Sequence, residues 1–256
     1  MPAVLFVFSV IMLIYFIRHD LVDYQAFRRL TATKDRQRRY RTWIATGFLL
    51  FFLYPLLGLA VLHQITAPIH FPSRFGPAAL ALRSHLPVGQ NITALLAGAG
   101  SSVVAGILLG IFLASRRKRP RPPLVLGSVE PLMPRNKAEL VHTAALSLNA
   151  GLSEEVFFRL FLPLLAIELH VDWLAAFLLA ALLFGVTHIY QGPLGVAATT
   201  VLGLLFTVVY LASGSLWVAA GLHAGLDLVH LVVRPGIGMY CARRPPTPDD
   251  APPASS

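Results

Sequence analysis

Gly151-Leu152-Ser153-Glu154-Glu155-Val156-Phe157-Phe158-Arg159 is the stretch on which the reading of this chain turns. It sets two adjacent carboxylates and an arginine in a segment otherwise apolar enough for a lipid bilayer. An ionisable group near a bilayer centre costs ~2.5–3.5 kcal/mol on insertion scales, so three together need partners and a purpose. Working outward, few later residues at membrane depth can serve as partners: His188, His223 and Asp227.

The surrounding composition fits a membrane. Of 256 residues, 56% are hydrophobic and 13% charged, against about 25% charge in a soluble domain. Several apolar runs approach the ~20 residues needed to cross hydrocarbon. The expected fold class is an all-α polytopic membrane protein. A net charge of +9 would suit nucleic acid, but the cations gather in two short loops. One holds Arg28, Arg29, Lys34, Arg36, Arg38 and Arg39; the other is Arg116-Arg117-Lys118-Arg119-Pro120-Arg121. Such loops set topology by the positive-inside rule and are drawn to anionic lipid head groups. With no basic domain interleaved with aromatics to read bases, nucleic acid is not a partner; membrane lipid is. The lone Cys241 excludes an intrachain disulfide.

Residues 1–114 read as three N-terminal spans, at about 2–17, 42–62 and 92–114. The first has neither a preceding positive residue nor a small-residue cleavage site, so it is not a signal peptide. Pro55 should kink the second. Residues 63–91, with Pro68, Pro72, Pro77 and Pro87, read as a loop on the opposite side from the cations. The sequon Asn91-Ile92-Thr93 abuts a span and is read as chance. Gly98, Gly100, Gly106 and Gly110 would allow close helix packing. Residues 115–137 form a basic cytoplasmic linker.

Residues 138–233 are the core: a long helical pattern over 138–169, weakly interrupted at Gly151, then spans at about 172–190, 193–211 and 216–233. Gln191-Gly192-Pro193 and Ser213-Gly214 are the turns. About seven transmembrane helices result, the last four forming the core bundle. Residues 234–256 are then a cytoplasmic, Pro-rich, disordered tail, with Arg234, Arg243 and Arg244 on the positive side.

Helix geometry converts spacing into contact. Glu155 and Arg159, four apart, share a face and can pair, while Glu154 is rotated about 100° away. His223 and Asp227 share a face, as do Phe184 and His188. At ~1.5 Å per residue, Glu154, His188, Asp227 and His223 lie roughly 22, 24, 17 and 11 Å below the outer surface. Three helices thus bring polar groups to overlapping depths. Bland readings stand beside the chemical ones: Glu155 with Arg159 as a structural ion pair, His223 with Asp227 as a packing hydrogen bond, Phe157, Phe158, Phe161 and Phe184 as lipid or interhelical packing. His230 is expected at the interface, His142 and His170 near span ends.

Together Glu154-Glu155-x-x-x-Arg159, Phe184-x-x-x-His188 and His223-x-x-x-Asp227 resemble the three signature motifs of the CAAX protease and bacteriocin-processing (CPBP, or Abi) intramembrane proteases. They occur in that family's order, over about 138–233. The resemblance implies peptide-bond hydrolysis within the membrane, on a membrane-associated protein or peptide substrate. It would make Glu154, His188, His223 and Asp227 catalytic, Glu154 and His188 activating water and His223 with Asp227 stabilising the oxyanion. Glu155 and Arg159 would support the site.

The chemistry is compatible. A carboxylate in a low-dielectric chamber is a better base for water than one in bulk solvent. Asp227 stands where relatives often have Asn; an ionised Asp only accepts hydrogen bonds, so orienting His223 suits it better than binding an oxyanion. Glu154, His188, His223 and Asp227 are also candidate ligands for Zn2+, although the strong His-Glu-x-x-His signature is absent. Two other classes compete with the protease. A non-catalytic scaffold or bacteriocin-immunity protein would keep the cluster for structure alone. A proton- or cation-coupled transporter would use the same acids but is disfavoured by the lack of an internal repeat.

Overall fold

The computed structural model describes residues 1–85 and 129–241, and these form helices joined by turns and loops, with no strand among them. The helices are α1 (Pro2–Phe27), α2 (Thr33–Val61), the short α3 (Gly76–His85), α4 (residues 137–168), α5 (Trp173–Thr187), α6 (Pro193–Ser213) and α7 (Leu216–Tyr240). Four of them, α1, α2, α6 and α7, are long and apolar enough to cross a membrane; α5 is apolar but shorter. Large apolar side chains such as Val4, Phe8, Ile11 and Val201 lie exposed on their outer faces, the side that lipid would cover.

Local chemistry sets the helix ends. Asn136 caps α4, its side chain accepting from the Glu139 N–H at 3.1 Å, while the Glu139 carboxylate reaches back to the Arg135 N–H at 3.0 Å. This reciprocal arrangement satisfies donors that every helix start leaves open. Asp172 caps α5 in the same way, accepting from Leu174 N–H. At the end of α6, Gly214 takes up φ 69°, the left-handed conformation a helix stop favours.

Three prolines explain three irregular turns. Pro55, Pro163 and Pro235 each lie two residues beyond a π-helical turn, at Leu49–Leu53, Val156–Phe161 and Val229–Val233. A proline has no N–H for the carbonyl four residues back, and its ring crowds that carbonyl. Widening the preceding turn relieves the clash without ending the helix. The kink expected at Pro55 takes this form, and the second such turn carries Arg159.

Several sequence expectations are corrected. The basic stretch 18–41 is not a loop: α1 continues to Phe27, α2 starts at Thr33, and an Asp23–Arg39 ion pair at 2.6 Å joins the two extensions. The region 63–91 is only partly loop, because α3 packs against α5 and α6, and Arg83 donates to the Ala212 carbonyl at 3.0 Å. α4 is not lipid-facing along its second half, since Val156 to Ala166 are buried without interruption. Protein rather than lipid surrounds that half, which is how it tolerates Glu155 and Arg159. The tail expected to be disordered from 234 is helical over Arg234–Cys241, where it continues α7. The expected span at 92–114, the sequon at Asn91, the basic run from Arg116 and residues 242–256 lie outside the described residues.

α4 packs chiefly against α7 and α2, and α5 against α6. Gly151 permits the first of these contacts: a Cβ there would stand 2.5 Å from the Ala224 nitrogen on α7. This close approach carries the two glutamates of α4 to the level of His223 and Asp227. Phe157, Phe158, Phe161 and Phe184 are all buried and fill the space between helices.

Candidate active site

Glu155 forms the floor of the site. It is wholly buried, its Oε2 lying 3.0 Å from Arg159 Nε and its Oε1 accepting from His223 Nδ1–H at 2.8 Å. The Arg159 guanidinium sits 4.2 Å above the Phe184 ring centre and 5.3 Å from that of Phe206, so aromatic faces share its charge with Glu155. Its contact with Glu155 is close but off line, and Arg159 Nε, Nη1 and Nη2 have no hydrogen-bond partner. Phe206 also stacks on the His223 ring at 4.8 Å, holding the imidazole edge-on to Glu155.

With Nδ1 given to Glu155, His223 turns Nε2 the other way, where Asp227 Oδ2 stands at 3.8 Å. The sequence reading gave the orienting role to Asp227; the hydrogen bond runs instead to Glu155. Two helices cross at Gly151, and the carboxylate that arrives opposite His223 comes from α4.

Glu154 points away from this ion pair. It lines a chamber of about 360 Å³ whose wall also includes His188, His223, Asp227 and His230. Glu154 Oε2 is buried and accepts no hydrogen bond. His188, at the end of α5, donates Nδ1–H to the Phe184 carbonyl at 2.8 Å, which leaves Nε2 as the lone-pair nitrogen. Burial falls along α7: His223 is 6% exposed, the Asp227 side chain 35%, and His230 is at the surface. The chamber is closed at Glu155–Arg159 and open towards His230, which belongs to its rim. His170 is exposed; His142 is half-buried, its Nδ1 bonded to the Ala138 carbonyl of its own helix and its ring 6.4 Å from that of Tyr40.

The same four chamber residues were candidate zinc ligands. Among the described residues, no three His, Cys, Asp or Glu side chains come together as a group able to hold a metal ion.

Residues 136–229 match the family model described as "Type II CAAX prenyl endopeptidase Rce1-like". This part of the chain is Rce1-like. The matched stretch begins at the cap of α4 and ends inside α7, so it contains all three motifs and leaves α1 to α3 unmatched. No curated protein and no solved structure matches the chain.

The Rce1-like segment does not build the whole chamber. Asp20 and Tyr24 of α1 and Trp43 of α2 also line it, as do Val129, Leu132 and Met133. Sequence reasoning missed these; Asp20 follows Arg18-His19 and precedes Asp23, so it reads as part of a polar stretch. Arg36 was missed for the same reason. It stands among other cations in the sequence, yet it is completely buried and paired with Glu139 at 3.1 Å.

Proposed function

We propose that the chain is an intramembrane endopeptidase that hydrolyses a peptide bond of a membrane-associated protein or peptide, in the manner of a CAAX endopeptidase. The observation that carries this reading is the division of labour between neighbours. Glu155 is engaged by Arg159 and His223, whereas Glu154 has a buried, unpartnered oxygen on the wall of the same chamber as the free Nε2 of His188. A purely structural acid pair would have no use for the second arrangement, because an unsatisfied buried carboxylate oxygen is costly.

In this mechanism Glu154 takes a proton from water while His188 Nε2 holds and orients it. The water oxygen attacks the scissile carbonyl carbon, and the carbonyl π-electrons move onto oxygen. His223, oriented through Nδ1 by Glu155 and charged as imidazolium, donates from Nε2 to that oxyanion. Collapse of the tetrahedral species breaks the C–N bond, and the proton held by Glu154 passes to the leaving amine. Asp227 supplies counter-charge to the His223 ring, and Arg159 fixes Glu155. The site would open to the cytoplasmic side of the cell membrane, with the C-terminus on that side.

Comparative membrane proteomics of wild-type and Glu154→Ala cells tests the reading. A genuine substrate should accumulate uncleaved in the variant, with its product termini missing. If product termini appear equally in both, the assignment of Glu154 as the base is wrong.

A further inference from the structure

The chamber carries one acid that the chemistry above does not use. Asp20 lies on α1, outside the segment that matches the family, and its side chain lines the chamber. Among the described residues it has no hydrogen-bond or ion-pair partner, whereas Asp23 on the same helix is paired with Arg39 at 2.6 Å. Tyr190, two residues after His188, lines the same chamber as Asp20, Glu154 and Asp227. The Tyr190 ring packs on Tyr24, one turn from Asp20 on α1, at 4.7 Å between centres. Asp20 therefore belongs to the same space as the proposed water-activating pair. Among the described residues no lysine or arginine lines that space, and the His223 imidazolium on its wall is already held by Glu155 and faces Asp227.

A carboxylate held in an apolar chamber without a counter-charge is unfavourable, and an incoming cation would remove the penalty. A carboxylate beside aromatic faces is also the composition that holds an ammonium or guanidinium group, by charge and by cation–π attraction. The buried, unpartnered Glu154 Oε2 on the same wall adds to the field such a cation would meet.

We infer that Asp20, with Tyr24 and Tyr190 beside it, is a specificity-determining residue that selects substrates carrying a lysine or arginine close to the scissile bond. This rests on the proposed protease reading for its meaning, but it concerns binding and is tested without turnover. Dye-labelled apolar peptides with a single central lysine, norleucine or glutamate would be titrated against Glu154→Gln protein in phosphatidylglycerol nanodiscs. The expected result is lysine binding tighter than norleucine by about tenfold, and glutamate weakest. Adding Asp20→Asn should bring the lysine-to-norleucine ratio close to one, and Asp20→Glu should restore much of it.

Equal binding of the lysine and norleucine peptides, or a ratio untouched by Asp20→Asn in protein of normal thermal midpoint, overturns the inference. Loss of the ratio when phosphatidylethanolamine replaces the anionic lipid assigns the ammonium to a head group, and overturns the peptide assignment. Failure of the protease reading would appear separately, as cleavage that ignores Glu154.

Discussion

Glu139 and Glu155 both lie on α4, both are wholly buried, and each faces an arginine, Arg36 at 3.1 Å and Arg159 at 3.0 Å. Around the first pair most groups are bonded, Arg36 Nη1 and Glu139 Oε1 excepted. Arg36 Nη2 donates to the Tyr40 hydroxyl at 2.9 Å and to the Pro131 and Met133 carbonyls at 3.1 Å, and Tyr40 bonds the Leu132 carbonyl. Around the second, Arg159 has no linear hydrogen bond, and Glu155 spends its other oxygen on a histidine that faces the chamber. Networks that are satisfied rigidify a fold, while unsatisfied polar groups inside one are expensive and are kept where they act. The Arg36 clasp fastens the segment before α4 to α2; the Arg159 cluster holds a site ready. Buried charge alone does not tell the two apart, but the count of unmet hydrogen bonds does.

The sharpest way to break this contrast is at His188. His188→Ala should lower cleavage by about 10²–10⁴-fold, the usual worth of a positioned acid–base group, with an unchanged thermal midpoint in detergent. A comparable loss of midpoint would make His188 structural.

At the clasp the expectation is reversed. Arg36→Ala strands Glu139 in the interior and should cost about 3–5 kcal/mol in unfolding measurements. The double change Arg36→Met with Glu139→Leu should recover most of that loss and retain cleavage, because a buried pair replaced by apolar groups is often close to neutral. If the double variant is stable but inactive, the clasp is part of the site.

Asp227→Asn probes the outer partner of His223. Since His223 is oriented by Glu155 at 2.8 Å and Asp227 stands off at 3.8 Å, cleavage should stay within about tenfold of wild type, or ~1.4 kcal/mol. A loss as large as that of His188→Ala would move the orienting role to Asp227. The smallest effect is expected from Pro163→Ala, which removes the cause of the π turn carrying Arg159. Stability should change by about 1 kcal/mol or less, with a few-fold loss of cleavage as Arg159 shifts against Phe184.

Much of the site was legible because charge in an apolar run is conspicuous. Glu154, Glu155, Arg159, His188, His223 and Asp227 stand out in the sequence, and the i, i+4 pairing of Glu155 with Arg159 follows from helix geometry alone. Which carboxylate reaches His223 was not legible, because it depends on how closely α4 and α7 approach at Gly151, a tertiary fact. Arg36 was hidden by its neighbours: six cations in a row of polar residues look alike until one is seen to turn inwards. The helical extensions of α1 and α2 past their apolar runs were likewise hidden, since hydropathy marks where lipid ends and says nothing about where hydrogen-bonded turns end.

The most direct test sets Glu154→Gln beside Glu155→Gln, measuring cleavage of one substrate and the thermal midpoint of each purified protein. The predicted result is a Glu154→Gln protein that does not cleave but melts like wild type, and a Glu155→Gln protein whose midpoint falls because Arg159 loses its counter-charge. Wild-type cleavage by Glu154→Gln, or identical melting losses in both, would contradict the separation of the two neighbours into one that reacts and one that holds.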